Sequence, residues 1–181
     1  MNDSGVIGLA GYACLVLGKV MLSKKLFLYG AIIIAGLIAD QLTKYLVLCH
    51  IQYLERITVI PGFFDLTLTY NPGAAFSFLA DAGGWQKFFF MGLALVICVY
   101  LLRAIIRDEF AKLGKVAAAM IIGGAAGNVT DRLVHGHVVD FLLFYYHNWF
   151  YPAFNVADSL ICVGAVLLVL ESIFHQKKKA V

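Results

Sequence analysis

The sequence predicts an all-α membrane protein: four transmembrane helices, both termini cytoplasmic, and a small β-sheet in the first outward-facing loop. Three observations lead there. Hydrophobic residues form 62% of the 181-residue chain and charged residues 14%, with a mean hydropathy of +0.87. That leaves too little polar surface to cover a soluble core. The apolar residues gather in four blocks, each near the roughly 20 residues that a helix needs to cross a bilayer. The basic residues cluster at alternate ends of those blocks, the asymmetry that orients multi-span proteins.

The blocks run roughly over Leu26–Leu48, Trp85–Ile106, Val116–Leu133 and Val156–Phe174. Helices are the open-ended structures that satisfy their own backbone in lipid. Lys24 and Lys25 precede the first block, Arg103, Arg107, Lys112 and Lys115 join the second to the third, and Lys177, Lys178 and Lys179 follow the fourth. The other side carries Lys44, Arg56, Lys87 and Arg132. Both long loops therefore face outward.

Residues 1–20, MNDSGVIGLAGYACLVLGKV, are apolar and glycine-rich, with no basic residue ahead of the run as a signal peptide requires. Met21, followed by LSKK and the first span, reads as the native start. Residues 1–20 are then an extension, and 21–181 a single membrane-embedded domain. An additional half-buried helix is the alternative.

In the first outer loop, ITVI (Ile57–Ile60) and LTLTY (Leu66–Tyr70) have strand character, with PG and NPG as turns. They predict a small sheet resting on the outer leaflet. The aromatic run FLLFYYHNWFY (Phe141–Tyr151) suits anchoring in the headgroup zone.

The net charge of +3 is spread beside apolar blocks and is not a nucleic-acid stripe. The four cysteines, Cys14, Cys49, Cys98 and Cys162, form no CxxC. They indicate neither a zinc site nor a disulfide framework.

Depth organises the carboxylates. A third span entering near Lys115 leaves the membrane about 20 residues later, near His135. Asp131 then lies in its last turn, Asp140 just beyond in non-helical chain, and Asp158 in the first turn of the fourth span. All three share one outer level. Asp158 follows Asn155 by three residues, the spacing of a capping box, and its charge suits the helix dipole. Asp131 has Arg132 beside it and Asn128 one turn back, enough for an ion-pair and hydrogen-bond cluster. Asp140 sits in VVDFLLF with no adjacent basic partner, which should disturb its protonation. Asp40 and Lys44 have ion-pair spacing in the outer half of the first span and read as support.

Two facing carboxylates at low dielectric share a proton, so one draws a proton from water while the other protonates a carbonyl. Such a pair titrates as a unit and needs no metal or cofactor. Asp158, at a helix N-terminus, has the better claim to the lower pKa. Competing chemistries are weaker. His135, His137 and Asp140 are a thin metal pattern, and no HExxH or GxSxG occurs. A transporter relaying protons through these carboxylates is the other class, but no repeat is visible.

Four motifs in order carry a resemblance: DQLTK (Asp40–Lys44), YNPGAAFS (Tyr70–Ser77), GNVTDRLVHGHVVDF (Gly127–Phe141) and FNVADS (Phe154–Ser159). Over about Met21 to Lys178 the chain resembles the lipoprotein signal peptidases (signal peptidase II), bacterial aspartyl peptidases of the inner membrane. The resemblance implies catalysis by Asp140 and Asp158, on the periplasmic side. It implies supporting or substrate-holding roles for Asp40, Lys44, Asn71, Gly73, Asn128, Asp131, Arg132 and Asn155. The implied substrate is a diacylglyceryl-modified prolipoprotein, cut before its lipidated cysteine, with membrane lipid as the other partner. No cofactor, metal or nucleic acid is implied, and a monomer is the default oligomeric state.

Overall fold

The computed structural model of the chain describes residues 9–73 and 85–179. The chain runs α1 (Leu9–His50), β1 (Arg56–Ile60), β2 (Phe64–Asn71), α2 (Gln86–Ile106), α3 (Lys112–Val134), β3 (Val138–Tyr146), β4 (Trp149–Phe150) and α4 (Val156–Lys179). Four stretches are long and apolar enough to cross a membrane: Leu26–His50, Lys87–Ile106, Lys112–Val134 and Val156–Phe174. They coincide with the four expected blocks to within a few residues, and the protein is a multi-pass membrane protein. Helix α1 begins before that first span: residues from Leu9 continue its helix without a break at Met21. No proline lies between Leu9 and His50 to interrupt it.

Helix α3 is central. More than half of its apolar window is buried, whereas the other three spans are mostly exposed, and it packs on all three of them. Its sequence GGAAG explains the close approach, since small residues let helix backbones meet in lipid. A Cβ on Gly123 would fall 2.8 Å from the Ile33 carbonyl oxygen of α1. One on Gly124 would fall 2.4 Å from the Ala157 carbonyl oxygen of α4. At the other end of the bundle, Tyr29, Leu101, Ile105, Ala118, Ile121 and Ile122 form a buried cluster from α1, α2 and α3.

The four strands form one antiparallel sheet in the order β1-β2-β3-β4. Its inner face, with Leu68, Val139 and Phe141, packs on Val47 and Ile51 at the end of α1. The β2–β3 register shifts between Leu66 and Thr69, so that Leu66 pairs with Leu142 but Thr69 with Asp140. The extra residue is a bulge, a device that re-aims a neighbouring side chain. The expected turn at Pro61–Gly62 is present, with Gly62 at φ 78°.

The aromatic run does more than line the surface. Phe141 is buried, and Phe144 stacks against Phe64 and Phe154 with centroids 4.8 and 5.8 Å apart. Tyr146, Trp149, Phe150 and Tyr151 remain exposed, free for the expected interfacial role. Strand pairing, invisible in the run itself, divides it.

Gly124→Ala is expected to cost about 1–3 kcal/mol through overpacking against α4 backbone. Gly30→Ala, where a Cβ meets nothing within 4 Å, is expected to change stability by no more than about 0.5 kcal/mol. Thermal unfolding of both variants in one detergent checks the contrast.

Candidate active site

At the sheet end of the bundle, α1, α3 and α4 meet around one ammonium group. Lys44 is 2% exposed, and its Nζ has three donors to place. They go to Asp40 Oδ2 at 2.8 Å, Asp131 Oδ2 at 2.9 Å and Asn128 Oδ1 at 3.0 Å. Each carboxylate then reaches further. Asp40 Oδ1 accepts from the Ala157 backbone N–H at 2.9 Å, one of the first donors of α4 that a helix cannot satisfy itself. Asp131 Oδ2 accepts from the Val139 N–H at 3.0 Å, which ties the end of α3 to β3. Gly127 allows this closure, because a Cβ there would fall 2.3 Å from Asp40 Oδ2.

The other two carboxylates stand on neutral amides. Asn155 Nδ2 donates to Asp140 Oδ1 at 2.7 Å, and Asn128 Nδ2 donates to Asp158 Oδ1 at 2.7 Å. The two amides meet, Asn155 Nδ2 lying 3.2 Å from Asn128 Oδ1. The capping box is formed in both directions. Asn155 Oδ1 accepts from the Asp158 N–H at 2.9 Å, and Asp158 Oδ2 accepts from the Asn155 N–H at 3.3 Å. Capping and site-building are thus one arrangement. Asp140 lies in β3, where burial first, and the Asp158 charge second, push its carboxyl up to about 7. Hydrogen bonds from Asn71 and Asn155 oppose that rise.

All ten expected residues come together. Asp40, Lys44, Asn128, Asp131, Asn155 and Asp158 form the network, with Asp140 joined through Asn155. Asn71 reaches Asp140, and its Oδ1 accepts from the Gly73 N–H at 2.9 Å. Gly73 sits at φ 112°, a conformation that excludes side chains. The rest of YNPGAAFS, residues 74–77, lies outside the described residues. Arg132 donates from Nη1 to the Asn128 carbonyl at 3.1 Å and lies over Phe90, 5.6 Å from the ring centre.

Two partner assignments change. Asp131 pairs with Lys44 rather than with Arg132, because adjacent helical residues point in different directions. Asp140, without a basic neighbour in sequence, is hydrogen-bonded by Asn155. Gln41 went unassigned in the sequence: its Nε2 donates to Asp131 Oδ1 at 2.9 Å and contacts Asp40 Oδ2 at 3.2 Å. Its place inside DQLTK was the available signal.

His137 lies against Tyr70, ring centres 4.2 Å apart, and His135 follows at 6.0 Å. Burial, then the neighbouring His135, hold the His137 imidazole below its ordinary value. Among the described residues, no three His, Cys, Asp or Glu side chains are grouped to hold a metal ion.

A family model described as signal peptidase (SPase) II matches residues 32–174. A lipoprotein signal peptidase of Neisseria gonorrhoeae is 68% identical over 149 residues, covering 82% of this chain and 91% of the relative. One from Chromobacterium violaceum is 52% identical over 149 residues, covering 82% and 90%. A solved bacterial membrane enzyme superposes with TM-score 0.75 at 30% identity, covering 83% of this chain and 90% of its own.

Lys44→Met leaves two buried carboxylates without their cation and is expected to cost about 3–5 kcal/mol, read as a lowered melting midpoint. Asp140→Asn should act oppositely, and the sign depends on pH. A carboxyl held near 7 in the folded protein and near 4 unfolded keeps a proton that the unfolded chain has lost. Stability therefore declines as pH rises between those values. Melting curves at pH 5 and pH 8 should show the variant gaining on wild type at the higher pH.

Proposed function

The chain belongs to the signal peptidase II family of aspartic peptidases, and from that premise we propose that it removes the signal peptide from diacylglyceryl-modified prolipoproteins. The cut falls before the lipidated cysteine, with Asp140 and Asp158 activating water. The setting is the bacterial inner membrane, with the site on the periplasmic side. One copy of the chain suffices, since every residue of the network belongs to it.

The observation that carries the catalytic assignment is the contrast between two carboxylate pairs. Asp40 and Asp131 each form an ion pair with Lys44. Asp140 and Asp158 have amide donors, and the Asp158 charge acts on Asp140. The second pair is the one able to hold a proton on one member while the other is ionised. Depth agrees: the pair lies where α3 ends and α4 begins, the level at which a lipidated cysteine presents its preceding peptide bond.

The steps balance without a cofactor. Ionised Asp158 takes a proton from water as the water oxygen attacks the scissile carbonyl carbon. Protonated Asp140 gives its proton to the carbonyl oxygen, forming a gem-diol. On collapse, Asp140 recovers a proton from one hydroxyl, Asp158 gives its proton to the leaving nitrogen, and the C–N bond breaks. The dyad returns to its starting protonation. Asn71 and Arg132, at the edge of the network, can donate to substrate backbone or lipid carbonyls.

Purified protein in detergent with EDTA, mixed with a diacylglyceryl-modified prolipoprotein, is expected to produce the cleaved form on a gel. Asp140→Asn and Asp158→Asn should each lose about 10²–10⁴-fold in rate. Full activity in Asp140→Asn would remove it from the dyad. For wild type, kcat/KM should fall as pH rises through about 7, where Asp140 loses the proton it must donate.

A further inference from the structure

The end of the bundle opposite the dyad carries a second feature. Phe90, near the start of α2, lies under Arg132 at the end of α3, so the start of α2 is on the dyad side and its last turn on the other. Along that last half, a groove of about 650 Å³ is lined by Leu95, Val96, Val99, Tyr100, Arg103, Arg107 and Glu109. Leu95, Val96, Val99 and Tyr100 are 59–67% exposed, as lipid-facing residues are. Below them stand two guanidinium groups one helical turn apart.

Among the described residues, neither Arg103 nor Arg107 donates a side-chain hydrogen bond or enters an ion pair. The aspartate next to Arg107 in sequence, Asp108, pairs instead with Lys115 across the turn. Among the described residues lining it, Glu109 is the one carboxylate, its backbone N–H donating to the Ala104 carbonyl at 3.0 Å. Two positive charges against one negative leave the groove net cationic.

We propose that this groove binds one anionic glycerophospholipid of the leaflet opposite the dyad, its phosphate on Arg103 and Arg107 and an acyl chain along Val99, Val96 and Leu95. Length fits: the twelve steps from Leu95 to Arg107 rise about 18 Å at 1.5 Å each, against about 15 Å for one leaflet's hydrocarbon. Paired donors of fixed geometry suit a phosphate. The helix dipole and the orientation rule both favour positive charge at this end. Neither calls for an apolar groove leading to that charge, nor for two arginines without an ion-pair partner among the described residues. The proposal does not depend on the peptidase reading.

The test uses purified full-length protein in detergent, titrated with dioleoyl phosphatidylglycerol or dioleoyl phosphatidylcholine, with unfolding followed by tryptophan fluorescence. Phosphatidylglycerol is expected to raise the apparent melting midpoint by about 2–4 °C, and phosphatidylcholine to raise it by much less. The Arg103→Gln/Arg107→Gln variant should lose that increment while melting like wild type without lipid. Lys112→Gln, which removes a charge outside the groove, should keep it. Should the double variant not be recoverable, Val99→Trp fills the groove with both charges intact and should also lose the increment. Equal shifts from the two lipids would overturn the proposal. So would a phosphatidylglycerol shift that survives in the double variant, or one that falls equally in Lys112→Gln.

Discussion

The Lys44 ammonium is the point on which the outer half of the molecule is assembled. Its three protons go to three acceptors on two helices, and two of those acceptors each reserve an oxygen contact for another element. Asp40 passes the connection to the first turn of α4, and Asp131 passes it to β3. One buried cation thus fixes how four elements meet. Desolvating such a group is expensive unless every donor is satisfied, and here every donor is. A bundle in lipid has little hydrophobic drive between its helices, so a saturated polar centre is an effective way to specify one arrangement.

That centre also explains how the neighbouring carboxylates come to be held by neutral donors. Asn128 is shared: its Oδ1 accepts from Lys44, so its Nδ2 must point the other way, at Asp158. Asn155 is fixed likewise, its Oδ1 capping α4 and its Nδ2 turned toward Asp140. Amide orientation is normally ambiguous, but here the charge of Lys44 at one end and the helix N–H at the other decide it. The result is two carboxylates held by neutral donors, close enough for one charge to raise the other's pKa, behind two others already matched to a cation. Geometry and protonation have the same cause.

The architecture was legible in the sequence because lipid imposes it. Apolar block length, basic flanks and the rise of a helix placed Asp131, Asp140 and Asp158 at one level, and α3 does end at Val134. The capping box at Asn155 and Asp158 was legible because it is local. Pairings across the fold were not. Asp131 beside Arg132 invites an ion pair, yet its cation is Lys44, 87 positions earlier, and nothing local encodes that. Asp140 looked isolated because its partner Asn155 lies on the far side of a strand pair. The aromatic run showed its composition but not the register that buries Phe141 and stacks Phe144.

Helix α2 contributes differently from the other three. Its contact with the site passes through Phe90 beneath Arg132, while Leu101 and Ile105 anchor it to α3 at the opposite end. Helices α1 and α4 are tied to α3 at the carboxylate cluster by Lys44–Asp131 and Asn128–Asp158 and by close approach to the glycines of α3, whereas α2 meets α3 through apolar packing, the Arg132–Phe90 contact and the Asp108–Lys115 pair just past its end.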